Sequence, residues 1–214
     1  MTINVSRFMR DPFCLRAIWC LEGRKGKDLI MTLWVFGYGS LLWNPGFEPA
    51  ETEIATLEGY ARSFCMRSIH HRGTEDDPGL VLALDKSEDA MCHGMALRVR
   101  PGEEDRVLTE LRERELISSA YYEDHVMLGL EDGRRIEAVA YIIDPDHVQY
   151  CRLELETQAR IIARAVGGRG PNWEYLFNTS AHLNEVGLED ADLNWLTQRV
   201  GDLMKQAPGG SDRA

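Results

Sequence analysis

The amino-acid sequence predicts an α+β fold, a mainly antiparallel sheet curled toward a barrel with helices gathered chiefly in the C-terminal part. Three observations predict it. Between residues 32 and 143, short runs rich in β-branched and aromatic residues follow one another closely, with Gly, Pro, Asp and Asn in the gaps. After Val99, and again from Leu153 onward, apolar residues recur at helical spacing. A chain of 214 residues with 44% apolar composition is long enough for one substantial core and short for two. We read residues 32–205 as that domain, with an extension (1–31) before it and a disordered tail (206–214) after it.

The extension is basic: Arg7, Arg10, Arg16, Arg24, Lys25 and Lys27 face only Asp11, Glu22 and Asp28. It is a short helix packed on the domain, a structureless arm, or a stretch upstream of a start at Met31. The first core strand is Thr32 to Phe36, which stops at Gly37. Gly37-Tyr38-Gly39-Ser40-Leu41 follows at once. Two glycines one residue apart let the backbone take φ > 0 and turn successive N–H groups toward one point, a nest for a carboxylate or a developing oxyanion. The same pattern also suits an ordinary tight turn. It is not a dinucleotide fingerprint, because the third glycine and the opening helix are missing and Trp43-Asn44-Pro45-Gly46 makes another turn.

Further strands are expected at Ile54 to Leu57, Ser63 to Ser68, Leu80 to Leu84, Gly94 to Val99, His125 to Leu130 and Ile136 to Ile143. His70-His71-Arg72-Gly73-Thr74, followed by the Asp76-Asp77-Pro78-Gly79 turn, reads as a solvated hairpin tip. Adjacent histidines on a strand point to opposite faces, so no metal pair is expected there. From Pro101 the pattern becomes helical: Glu103, Glu104 and Asp105 suit the positive end of the dipole, and Val107, Leu108 and Leu111 share a face. Glu115 lies four residues beyond Leu111 and so projects from that apolar face, whereas Glu113 points to solvent. A carboxylate aimed at the core has its pKa raised toward the range of a general base. If the helix ends a residue or two early, Glu115 is instead a surface acid.

Helices are also expected over Leu153 to Ala165, from near Pro171, and over Leu188 to Val200. The second of these carries Tyr175, either a packed core tyrosine or a phenol that touches a ligand. Acids outnumber bases, 35 to 24, for a net charge of -11 and a pI near 5.0, so nucleic acid and anionic membranes are poor partners. Cys14, Cys20, Cys65, Cys92 and Cys151 are scattered, without the close pairs of zinc or redox sites, as in a reducing compartment. No apolar run approaches the roughly 20 residues of a membrane helix and no cleavable leader is evident, which places the protein in the cytoplasm.

Taken in order, these pieces resemble the ChaC-type γ-glutamylcyclotransferases from about Leu33 to about Leu203. The carriers are Trp34 through Trp43, then Gly59-Tyr60 with Arg62 and Phe64, Ser68, His71-Arg72-Gly73-Thr74 and Pro78-Gly79. They continue through Gly94, Arg114-Glu115, Asp144-Pro145 with Tyr150, and Gly170-Pro171-Asn172 with Glu174-Tyr175-Leu176. The resemblance implies a small mixed β-barrel with flanking helices and a lyase that splits glutathione into 5-oxoproline and cysteinylglycine, with no metal or organic cofactor. It assigns Glu115 as catalytic acid/base, and Phe36, Gly37, Tyr38, Gly39, Ser40, Leu41 and Tyr175 to binding of the γ-glutamyl group. Where many members have Gly-Gly-Tyr behind the glutamate, this chain has Leu116-Ile117-Ser118-Ser119-Ala120-Tyr121, which implies a longer, stiffer loop that bears on substrate range and turnover more than on the chemistry. A cyclotransferase for other γ-glutamyl amines or amino acids, and a non-catalytic module that senses γ-glutamyl compounds, are the alternatives.

Overall fold

The structure, a computed structural model, describes residues 32–206; the basic extension and the tail beyond Gln206 lie outside the described residues. β1 (Trp34–Gly37) is buried along its whole length because it has a neighbour on each side. It pairs antiparallel with β3 (Gly79–Arg98), from Trp34 opposite Arg98 to Gly37 opposite Met95, and parallel with β5 (Arg135–Ile143) at Val35 opposite Val139. β3 pairs with β2 (Glu51–Ser68), β2 with β4 (Tyr121–Leu130), and β4 with β5, which closes a barrel in the order β1-β3-β2-β4-β5. The single parallel joint makes the barrel mixed.

Alternation along the strands divides the core. Trp34, Phe36, Leu57, Leu84, Leu128 and Ile142 meet inside the barrel. Val35, Val139 and Tyr141 point outward and are covered by Val107 and Leu111 of α1 (Glu104–Glu115). The outer face of β2 and β3 is covered by α2 (Leu155–Arg164), α3 (Asn172–Glu185) and α4 (Ala191–Gln206), through Ala159, Ile162, Leu176, Leu183 and Leu196.

Three expectations change. Ile54–Leu57 and Ser63–Ser68 are parts of one strand, β2, and Leu80–Leu84 and Gly94–Val99 fall almost wholly within β3. The polar stretch between them remains paired because Tyr60 faces Lys86 while Glu58 faces Met91, so residues 87–90 lie opposite Gly59 alone in a wide bulge. Solvent on both faces there removes the alternation by which a strand is recognised. Second, neither Gly37 nor Gly39 takes positive φ; Gly39 sits at φ -133, and Ser40–Leu42 forms a short 3-10 turn. Third, residues 70–74 are solvated only in part: His70 and Thr74 are exposed, but the centre of the loop is packed. Gly73 is buried, and a Cβ on it would overlap the Gly79 nitrogen, while one on Gly167 would overlap the Gly73 nitrogen. The hairpin of β6 (Val166–Gly167) and β7 (Gly170–Pro171) packs backbone to backbone on this loop: the Gly168 N–H donates to His70 O (2.8 Å) and the Arg169 N–H to His71 O (2.9 Å).

Candidate active site

Beyond the end of β1 the chain borders a cavity of about 840 Å³. Tyr38, Gly39, Ser40 and Leu41 form one part of its lining, Arg114 and Glu115 at the end of α1 another, and Tyr175 of α3 a third. The structure therefore brings together six of the residues singled out in the sequence. Phe36 and Gly37 are not in the lining: Phe36 is wholly buried in the barrel, its ring 6.2 Å from that of Tyr38, because strand alternation turns it inward.

α1 continues to Glu115, so the apolar-face reading of this carboxylate prevails over the surface one. Its side chain is 18% exposed. The Arg114 Nε lies 3.1 Å from Oε1 but is not aligned to donate, and Oε1 is buried without a hydrogen-bond partner among the described residues. Burial raises the Glu115 pKa, and the charges of Arg114 and Arg169 pull it back in part. Arg114 has other work: Nη1 donates to Asn44 O (2.6 Å) and Nη2 to Ser40 Oγ (2.8 Å), tying the helix end to the loop after β1. Among the described residues the N–H groups of Ser40 and Leu41, at the open start of the 3-10 turn, have no backbone acceptor.

Tyr175 is both packed and at the cavity. Phe64 meets its ring edge-on at 6.0 Å, the Arg72 Cζ stands 5.6 Å from the ring centre, and burial pushes its phenol far above the ordinary range. A phenol so displaced favours its protonated form, which can donate a hydrogen bond. A Cβ on Gly39 would stand 3.4 Å from the Tyr175 Oη, so the glycine leaves the phenol open to the cavity. Tyr38 donates to Tyr141 O (2.7 Å) and Tyr121 to Leu82 O (3.0 Å), which holds two more lining phenols in place.

The sequence reading did not assign Arg114, Arg72 or Arg169 to the site. Arg72 donates from Nη1 to Pro171 O (3.0 Å), and all three line the cavity, where Glu115 is the only acid among the described lining residues. An acidic chain thus carries a locally cationic pocket. Arg114 and Arg72 were visible only as members of the motifs that carry the resemblance, and nothing local in the sequence says where their long side chains turn.

Residues 33–203 match the family described as ChaC-like protein. The chain belongs to the ChaC-like family. Among curated relatives, the Escherichia coli "Glutathione-specific gamma-glutamylcyclotransferase" is 39% identical over 178 residues, covering 81% of this chain and 75% of that one. The Arabidopsis thaliana "Gamma-glutamylcyclotransferase 2-1" is 36% identical over 184 residues, 82% of this chain and 84% of its own. A crystal structure of a yeast γ-glutamyl cyclotransferase specific to glutathione superposes with a TM-score of 0.73 over 80% of this chain and 96% of that one, at 23% identity, and so shares the fold. In this ChaC-like chain the segment after Glu115 reverses through Ser119, whose φ of 55 is rare for a residue with a side chain. Ile117, 76% exposed, and Ser118 both reach the cavity rim.

Proposed function

We propose that this chain is a glutathione-specific γ-glutamylcyclotransferase, with Glu115 as general acid/base and the chemistry contained in residues 32–205. The names of its curated relatives support the substrate. The observation that carries the residue assignment is a buried carboxylate oxygen without a partner among the described residues, in the same cavity as the Ser40 and Leu41 amides, which have no acceptor there either. An orphaned buried acceptor calls for a donor from outside the protein, and the α-ammonium of a γ-glutamyl group supplies one.

The reaction follows from that pairing. Glu115 takes a proton from the α-ammonium, and the freed amine attacks the γ-carbonyl carbon of its own residue to close a five-membered ring. The amides of the Tyr38–Leu41 loop bind the α-carboxylate or the tetrahedral oxygen. The C–N bond to cysteine breaks as Glu115 returns protons to the departing nitrogen; two protons pass in all from the attacking to the leaving nitrogen. The nucleophile is already part of the substrate, so holding it folded supplies much of the acceleration. Lactam closure needs neither water nor a cofactor, and the cytoplasm is the compartment we assign. Ser40 binds through Arg114 and is not a nucleophile.

Incubation with glutathione should release equal amounts of 5-oxoproline and cysteinylglycine. Glu115→Gln should keep the fold and lose at least about 10²-fold in kcat; near-normal release of 5-oxoproline would overturn the assignment. Ser40→Ala should weaken binding and retain turnover, and a covalent adduct trapped on Ser40 would refute its supporting role.

A further inference from the structure

The three arginines of the cavity are not equivalent. Arg114 is held by Ser40 and Asn44, and Arg72 by Pro171 and the Tyr175 ring. Arg169 lines the same cavity, is exposed, and has no carboxylate or backbone acceptor for its guanidinium among the described residues. Its backbone is nonetheless braced. The turn that carries it is closed by the Val166–Pro171 and Gly167–Gly170 pairs and bonded to His70 and His71, and Gly167 is wedged against Gly73. A long cationic side chain therefore projects from a fixed point on the solvent side of the pocket. Arg169 shares the cavity lining with both Glu115 and His71, so a small molecule lying between them borders its side chain.

Glutathione has two carboxylates at opposite ends. The γ-glutamyl end belongs beside Glu115 and the loop amides, so the Cys-Gly portion, about 7 Å when extended, must run toward solvent. Its terminal carboxylate needs a cation at that distance, and a guanidinium binds a carboxylate through two parallel hydrogen bonds. We infer, on the basis of the cyclotransferase reading, that Arg169 is the specificity-determining residue that pairs with the glycine carboxylate of glutathione. The buried end of the cavity reads the γ-glutamyl group, and Arg169 measures how far away the second carboxylate stands. γ-Glutamylalanine, whose carboxylate is one residue nearer, is disfavoured for that reason.

The test is steady-state release of 5-oxoproline by wild type and Arg169→Gln from glutathione and from its glycine ethyl ester. Esterification should lower kcat/KM of the wild type by about fivefold or more, chiefly through KM, and the loss should shrink as salt is raised. Arg169→Gln should handle both substrates alike at the lower value, with an unchanged thermal midpoint, and Arg169→Lys should recover part of the discrimination. A variant that still distinguishes ester from acid as the wild type does would overturn the inference while leaving the cyclotransferase reading intact. A wild-type protein that releases no 5-oxoproline from glutathione would overturn both.

Discussion

Glu115 occupies the last position of α1, and its environment sets two opposite demands. Burial favours the neutral acid, whereas the proposed proton transfer from an ammonium requires the carboxylate. The acid limb of kcat/KM should therefore lie above the ordinary carboxylate range, and a pH–rate profile with its limb at or below that range would contradict the assignment. The same displacement has a stability consequence. Below the unfolded-state pKa both states hold the proton; as pH rises through it, only the unfolded chain releases its proton, and wild-type stability falls until the folded pKa is passed. Glu115→Gln escapes that loss, so its thermal midpoint should exceed the wild type's at neutral pH and the difference should vanish in acid. The helical face on which Glu115 lies was legible from its spacing to Leu108 and Leu111. The bonds from Arg114 to Ser40 and Asn44 were not, since they join residues some seventy positions apart.

The elements that carry the site are docked by backbone groups. Asn172, fully buried at the start of α3, accepts from the Leu80 N–H (2.6 Å) and donates to the Leu80 C=O (2.7 Å), standing in for a neighbouring strand. Tyr175 follows one turn later, which is why it faces the cavity. Asn172→Ala would strand a buried donor and a buried acceptor, and should cost at least about 2 kcal/mol in denaturant unfolding. Gly59 has a contrasting role at the β2 bulge: its φ is +80 and open space surrounds a would-be Cβ, so Gly59→Ala should cost about 1–2 kcal/mol from backbone conformation alone. Gly73→Ala meets backbone from two sides and should be worse. All three positions sit in motifs that the sequence marks as turns or element starts, but it does not distinguish a glycine needed for φ from one needed for space.

Across the whole molecule, one buried ion pair links the site to the helical layer. Arg62 of β2, with its side chain 4% exposed, donates to Asp190 just before α4 (2.7 Å from Nη2), and from Nη1 to Tyr38 O (3.1 Å) and His93 O (2.9 Å). Its grip on the Tyr38 carbonyl fixes the plane of the Tyr38–Gly39 peptide and hence the direction of the Gly39 N–H. Asp190→Ala leaves a buried guanidinium uncompensated and should cost about 3–5 kcal/mol in urea unfolding, with a raised KM for glutathione; an unchanged midpoint would refute the link. The sequence by itself determined what depends on neighbours along the chain: the strand runs, the helical face that bears Glu115, the α+β class, and the motif order that marks the ChaC-like family. Tertiary structure alone decided the parallel closure of β1 on β5, the merging of strand pairs into β2 and β3, the packing of the 70–74 loop against the β6–β7 hairpin, and the gathering of three arginines in the cavity that holds one carboxylate. Periodicity records which face a residue occupies within its own element. Which distant element covers that face is set by packing between segments far apart in sequence, and no short window of residues holds that information.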